Sequence, residues 1–373
     1  MVYADHAATT PLDRDAFEAM CPFLLEDYGN ASQPYSFSMA SRKALKQARM
    51  TVAGCIKALP EEIYFTSGGT ESDNWAVKGI MMGKKGSLIT SQIEHHAVLH
   101  ACNAMEGLGI QVEYLPVDRN CVVQPRVLEN RITQDTGLVS IMMVNNEVGS
   151  IQPIERLSRI AHETGAWFHT DAVQAVGHME IDVNHLGIDM LSASAHKFNG
   201  PKGIGFLYVR KGTRIQPYAD GGAQEAGLRA GTENVAAIVA MAVALKKNCD
   251  HMRENQIKMR KLEQILEDIL RKEKINYIRN GDLGIPGNIS LSIRGAEGEV
   301  LLHRLDLKKI YISTGSACNS RNTEISHVIK AMEVPEDYAE GTIRISFGTE
   351  NTEEDAVEVA RALVEIMNGT NGL

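Results

Sequence analysis

The sequence predicts an α/β protein, with a mainly parallel central sheet in a large domain and a smaller α+β domain. Three observations carry this. Between about residues 40 and 215, short apolar β-branched runs alternate with longer stretches of helical period, the pattern of βα units. A long helical, increasingly charged stretch then runs from Asn234 to about Lys274, of the kind that links two domains. Behind it, strand-like and helix-like segments mix in a shorter set.

In order along the chain, Ser41 is placed to cap a helix from Arg42 to Leu59. Strands are expected at Ile63 to Phe65, Leu88 to Thr90, Gln111 to Leu115, Leu138 to Val144, Trp167 to Asp171, Met190 to Ala193 and Gly203 to Val209. Helices fall between them at Glu71 to Met82, Ala97 to Leu108 and Ile154 to Thr164. The C-terminal set has strands at Ile289 to Ile293, Ile310 to Ser313 and Thr342 to Phe347. Its helices lie at Glu299 to Leu305, Ser326 to Met332 and Thr352 to Met367.

Composition excludes several function classes. Of 373 residues, 38 are Lys or Arg and 47 are Asp or Glu, a net charge of −9, which does not suit a general nucleic-acid binder. A content of 44% hydrophobic and 23% charged residues is that of a globular chain. The longest apolar run, Val235 to Leu245, spans 11 residues, short of the ~20 needed to cross a bilayer. The start MVYADHAATTP has neither the basic beginning nor the apolar stretch of a signal peptide, so a cytoplasmic location is expected. Six cysteines, at 21, 55, 102, 121, 249 and 318, are far apart and show neither C-x-x-C pairs nor zinc spacing.

Polar clusters follow the predicted strands, where an open parallel sheet binds its ligands. Ser67-Gly68-Gly69-Thr70 precedes a helix, so its glycines and the helix N-terminus suit a phosphate, although such a turn also occurs without a ligand. Asp171 ends an apolar run with Gln174 three residues on; it suits a cationic ring or a helix cap. Lys197 follows the next strand, in Ser194-Ala-His196-Lys197. Alone it reads as a surface lysine; as a free amine it can react with an aldehyde. Phosphate loop, carboxylate and lysine in this order point to pyridoxal phosphate.

With these residues assembled, the chain resembles the pyridoxal-phosphate cysteine desulfurases of the NifS and IscS type, members of the class-V aminotransferase family with the fold-type I architecture. Nearly the whole chain takes part. The matching stretches are Tyr3-Ala-Asp-His-Ala-Ala-Thr-Thr-Pro11, Phe65-Thr-Ser-Gly-Gly-Thr-Glu-Ser-Asp-Asn74, Glu94-His95, Val144-Asn-Asn-Glu-Val-Gly149, Asp171-Ala-Val-Gln174 and Ser194-Ala-His-Lys197 with Gly200-Pro-Lys-Gly-Ile-Gly205. Further on stand Gly221-Gly-Ala-Gln-Glu225, Arg229-Ala-Gly-Thr-Glu-Asn234, Ser313-Thr-Gly-Ser-Ala-Cys318 and Thr342-Ile-Arg-Ile-Ser-Phe-Gly348. The expected division is a large cofactor-binding domain over 14–256 and a small domain from 1–13 with 257–373, the latter carrying the cysteine loop.

The resemblance implies that Lys197 joins covalently to the cofactor, Asp171 pairs with its pyridine nitrogen, and His95 stacks on the ring and relays protons. Gly69, Thr70, Ser194 and His196 are then phosphate contacts, and Asn146 and Gln174 touch the ring substituents. Thr232 would complete the phosphate site of a partner subunit, which implies a homodimer. Arg344, with Asn146, would bind the substrate carboxylate, as a planar bidentate donor suits; its plain alternative is a structural ion pair. His95, His96 and His100 carry no metal motif.

Cys318 selects the reaction. It lies in Ser313-Thr-Gly-Ser-Ala-Cys-Asn-Ser-Arg321, a small polar stretch that reads as a loop presenting a thiol, while the other five cysteines sit in helical or apolar surroundings. The implied activity is removal of sulfur from L-cysteine, giving L-alanine and a persulfide on Cys318 for an acceptor protein, such as an iron-sulfur scaffold or a thiolation protein. Selenocysteine lyase or another β-elimination enzyme is the alternative on the same fold, and a sulfur-delivery protein without turnover is a third. Two departures from the resembled pattern stand out: Gly29-Asn-Ala-Ser-Gln-Pro-Tyr35 is one residue shorter, with Tyr35 in place of a histidine, and position 6 is His.

Overall fold

The structure is a computed structural model that describes residues 1–83, 86–282, 284–314 and 325–370. Among these residues the strands are β1 (Val2–Tyr3), β2 (Ile63–Thr66), β3 (Ser87–Ser91), β4 (Val112–Leu115), β5 (Thr136–Ser140), β6 (Trp167–Asp171), β7 (Met190–Ser194), β8 (Gly205–Val209), β9 (Tyr277–Arg279), β10 (Asn288–Ile293), β11 (Ile310–Tyr311) and β12 (Thr342–Ser346). The helices are α1 (Arg14–Met20), α2 (Pro22–Leu25), α3 (Met39–Cys55), α4 (Gly69–Met81), α5 (His96–Glu106), α6 (Pro125–Arg131), α7 (Ile154–Glu163), α8 (Val235–Asp250), α9 (Met252–Lys272), α10 (Gly298–Leu307), α11 (His327–Ala331), α12 (Glu336–Ala339) and α13 (Glu353–Thr370).

Seven strands form one sheet in the order β2-β8-β7-β6-β5-β3-β4. From β7 to β4 all neighbours are parallel, and β8 runs against both β7 and β2. The expected mainly parallel α/β sheet is therefore present. Alternation along the strands explains the layers, because successive side chains leave a strand on opposite faces. Leu88, Leu138, Met190 and Leu207 pack with Trp75, Ile80, Val98 and Met105 of α4 and α5. Their neighbours Ile89, Val139, Leu191 and Phe206 pack with Leu45, Leu157 and Met241 of α3, α7 and α8. Each of these side chains, fully buried, contributes about 1.5–3 kcal/mol of transfer free energy, so both layers are strongly specified.

A second core surrounds the antiparallel sheet β12-β10-β9, where Leu262, Leu266 and Leu270 meet Ile289, Ile345, Val359 and Leu363. The N-terminus belongs with it: β1 pairs in parallel with β11, and Asp5 bridges to Ser346.

Some elements differ from the sequence reading. The helix expected after Ser41 begins at Met39, behind a short 3-10 turn. Ser41 is thus buried within it, its hydroxyl donating to the Asp27 carbonyl at 2.8 Å rather than capping. The Asn234 to Lys274 stretch is two helices, capped by Asn234 and broken at His251. The break occurs where the burial pattern changes. The first is apolar on most of its surface and serves the large core, while the second buries one stripe, Met259, Leu262, Leu266 and Leu270, in the small core. β5 ends at Ser140, although Ile141 and Met143 still donate to the carbonyls of His169 and Asp171. Among the described residues no helix is long and apolar enough to cross a membrane.

Candidate functional site

The predicted site residues converge where strands end. His95 follows β3, Asn146 follows β5, Asp171 to Gln174 close β6, and Ser194 to Lys197 close β7. Because β2 and β7 both run against β8, the Ser67–Thr70 loop leaves the sheet at the same edge. This is where an open parallel sheet accommodates ligands.

The loop is shaped by two glycines. Gly68 has φ +146°, a conformation side chains rarely adopt, and a Cβ there would stand 3.3 Å from Ser194 Oγ. A Cβ on Gly69 would meet Val173 Cγ2 at 2.7 Å. The N-terminus of α4 is thereby packed directly on Val173 and Ser194, with Ser67 and Thr70 exposed beside it. The first N-H groups of a helix lack intrahelical partners and its dipole favours an anion, so this cradle fits a phosphate.

Beyond the cradle lies a charge arrangement. Lys197 Nζ donates to the carbonyls of Ala7 at 2.6 Å and Ala8 at 2.7 Å. Gln174 Nε2 donates to the same Ala7 oxygen at 3.0 Å. Asp171 is buried, takes one hydrogen bond from the Val173 N-H at 2.9 Å, and is pushed up to about 6 by burial against the pull of that bond and of Lys197. A buried carboxylate with so few partners fits a cationic ring nitrogen. His95 caps α5, its Nδ1 accepting from the Ala97 N-H at 3.1 Å, which leaves the proton on Nε2. Burial and the neighbouring Lys197 lower it to about 4, so the ring is neutral. The helix-start role and the functional one are thus held by one side chain. His196 Nδ1 lies 3.1 Å from Thr9 Oγ1, and burial together with Lys197 lowers it to about 4.

Arg344 on β12 is buried, donating to Asp5 Oδ1 at 2.7 Å and to the Asn146 carbonyl at 3.1 Å, while its Nε has no partner among the described residues. The ion pair weighed at the outset therefore exists, and one buried donor remains, which fits a ligand carboxylate because an unpaired buried N-H is unfavourable.

Thr232 stands exposed at the surface, and among the described residues its side chain makes no hydrogen bond. Cys318 lies outside the described residues, but both flanks of its segment are fixed at this site. On one side Ser313 and Arg344 exchange backbone hydrogen bonds of 3.1 and 2.7 Å. On the other, Ser326 Oγ donates to Glu147 Oε2 at 2.6 Å and His327 Nε2 lies 3.1 Å from the Glu94 carbonyl. The remaining cysteines differ in kind. Burial pushes Cys102 up to about 12 and Cys121 higher, so neither is a ready nucleophile, whereas Cys55 and Cys249 share a hydrogen bond that sequence distance concealed.

Sequence reasoning did not single out Asp5, the Ala7 and Ala8 carbonyls, Glu71 or Asp73. Backbone acceptors carry no side-chain signature, and the carboxylates became visible only once the folded chain set them beside Arg344, Arg229 and Asp171.

The aminotransferase class-V model matches residues 2–359. A cysteine desulfurase IscS of Methanosarcina thermophila is 47% identical over 98% of this chain and 92% of its own length. A solved NifS-like protein superposes with a TM-score of 0.93 at 38% identity, covering 98% of this chain and 99% of that one. A structure titled SspA in complex with cysteine gives a TM-score of 0.83 at 36% identity over 93% of this chain and 99% of its own. A lysine, a buried carboxylate and a glycine cradle at one sheet edge, carried on a chain similar to these proteins along almost all its length, place it in the class-V aminotransferase family, among the cysteine desulfurases.

Proposed function

We propose that the protein is a pyridoxal-phosphate-dependent cysteine desulfurase, taking sulfur from L-cysteine to give L-alanine and a persulfide on Cys318. The observation that carries this reading is the bracketing of the Cys318 segment by the Lys197 site, from Ser313 opposite Arg344 to Ser326 on Glu147. Both described ends of that segment, Ser313 and Ser326, are held at the site, which supports a role for Cys318 there.

The residues fit the cofactor: Gly69, Thr70, Ser194 and His196 are set to hold its phosphate, Asp171 its pyridine nitrogen, Lys197 its aldehyde carbon, and His95, Asn146 and Gln174 its ring. When bound, the cofactor supplies a sink for the electron pair released at the substrate Cα. Arg344 orients the substrate through its carboxylate, leaving the Asp5 pair in place to hold the guanidinium. Lys197, once released, takes the Cα proton on Nζ. His95, neutral, stacks on the ring, and the proton held on Lys197 Nζ is returned to the departing alanine. Cys318 Sγ, as thiolate, attacks the substrate sulfur; the new S–S bond forms as the substrate Cβ–S bond breaks.

A homodimer in which Thr232 completes the partner's phosphate site is part of this reading. Exposed Thr232 supports it, as do the exposed apolar side chains of Phe17, Leu24, Leu25, Tyr28, Phe37 and Met39. We also divide the chain into a large domain over 14–256 and a small one from 1–13 with 257–373, in keeping with the two main cores. Free thiols at Cys21, Cys55, Cys102, Cys121 and Cys249 suit the reducing cytoplasm. The persulfide acceptor is a protein, an iron-sulfur scaffold or a thiolation protein. The reading is tested by assaying alanine from L-cysteine with a thiol reductant: Cys318→Ala should lose nearly all turnover, and undiminished turnover would overturn it.

A further inference from the structure

Among the buried carboxylates that the mechanism leaves unused, Glu71 joins the phosphate loop, and Glu225 the strand before it, to the largely exposed segment 219–233. Glu71 sits in the first turn of α4, next to Thr70. Its Oε2 accepts from the Ser67 N-H at 3.0 Å, and Arg229 grips it with Nε at 2.9 Å and Nη2 at 3.3 Å. Glu225 reaches in the other direction: its carboxylate accepts from the Phe65 N-H at 2.9 Å and is held by Arg49 at 2.6 and 2.8 Å.

The segment between these two points is tightly determined. Tyr218 donates to the Leu228 carbonyl at 2.8 Å, and Ala230 to that of Ala219 at 3.1 Å. Glu225 and Ala226 are both left-handed, with φ 46° and 57°, a strained pair that persists only where surrounding contacts over-determine it. Gly231, φ +115°, then turns the chain into Thr232. Surface loops without a task seldom need two partly buried ion pairs and two strained residues.

We propose that Glu71 and Arg229 are positioning residues that fix Thr232 for the partner subunit and tie it to the Ser67–Thr70 loop of their own, so that the two phosphate sites of the dimer are coupled. This rests on the homodimer reading above. A single two-pronged pair is shared by the loop that binds phosphate in one site and the arm that completes the other. Disturbing it in one subunit alters phosphate binding in both.

Mixed dimers test this. One subunit carries Lys197→Ala, so the visible absorption of covalently bound cofactor reports only the other site. Arg229→Ala placed in the Lys197→Ala subunit is then read in trans, by titrating the apo dimer with pyridoxal phosphate and, separately, with pyridoxal, which has no phosphate. The expected result is about ten-fold weaker pyridoxal phosphate binding at the intact site, as loss of a charged two-pronged contact implies. Pyridoxal binding should be unchanged, and Thr232→Ala added to the same subunit should bring little further loss. If Thr232→Ala weakens the intact site in trans and Arg229→Ala does not, the coupling is wrong while the dimer reading stands. If Thr232→Ala has no effect in trans, the shared site itself is wrong and the coupling falls with it. Equal loss for both ligands would reduce Arg229 to a structural ion pair and overturn the proposal. Should Arg229→Ala fail to fold, Glu71→Gln, which leaves the arginine in place, carries the same comparison.

Discussion

Ser326 Oγ donates a 2.6 Å hydrogen bond to Glu147 Oε2, pinning the chain just after the Cys318 segment to the loop that carries Asn146. This bond holds the chain that follows the thiol-bearing segment, and it touches none of the predicted cofactor contacts. Ser326→Ala should therefore lower kcat for alanine formation by about three- to ten-fold, the range expected for one hydrogen bond of ordinary net strength. The bound-cofactor spectrum should not change. A spectrum altered as much as kcat would show that the bond supports the pocket instead.

Lys197 lies between the Ala7 and Ala8 carbonyls and beside Asp171. Its replacement removes the amine that joins the cofactor. Lys197→Ala purified from cells should lack the absorption of lysine-bound cofactor, and a variant that retains this band would place the covalent link elsewhere.

Among the described residues the buried Nε of Arg344 has no acceptor, while Asp5 and the Asn146 carbonyl hold the rest of the guanidinium. Arg344→Lys preserves charge but removes the planar fork. KM for L-cysteine should rise about ten-fold with the cofactor affinity unchanged. Steady-state kinetics check this, and an unchanged KM would leave Arg344 as a structural ion-pair partner.

The buried carboxylates make stability depend on pH with a definite sign. Burial raises Glu94 to about 8 and Glu147 to about 7, against the usual 4.5. Between the unfolded and folded values the native state holds more protons, so stability falls as pH rises. The buried histidines His95, His169 and His196 are lowered, so they oppose this only below about 6.5, where the unfolded chain takes up protons. Urea unfolding of the apo protein should show stability declining from pH 6.5 to 8.5, with a shallower decline in Glu94→Gln and Glu147→Gln. A rise over that interval, or an equal slope in the variants, would contradict the assignment.

The sheet was readable because β-branched runs punctuated by polar clusters recur on either side of each helix, and Trp167 to Asp171 matches β6 end for end. What alternation along one strand cannot reveal is which two layers it feeds; the split of Leu138 from Val139 required the neighbouring helices. The Asn234 to Lys274 break escaped because both halves favour helix locally, and only the exchange of one core for another at His251 separates them. In the site, side chains with distinctive chemistry such as Lys197, Asp171 and His95 were legible from residue type and place. Their partners were not: Asp5 meets Arg344 across 339 positions of sequence, and Ala7 acts through its backbone.

On the proposed reading Cys318 receives the sulfur. Incubating the holoenzyme with sulfur-labelled L-cysteine, quenching in acid without reductant and mapping the label by peptide mass tests it most directly. One labelled sulfur is expected on Cys318, released by a thiol reductant, and none on Cys318→Ser, which still binds L-cysteine as seen by its absorption change. Label on another cysteine, or sulfide released by Cys318→Ser at the wild-type rate, would contradict it.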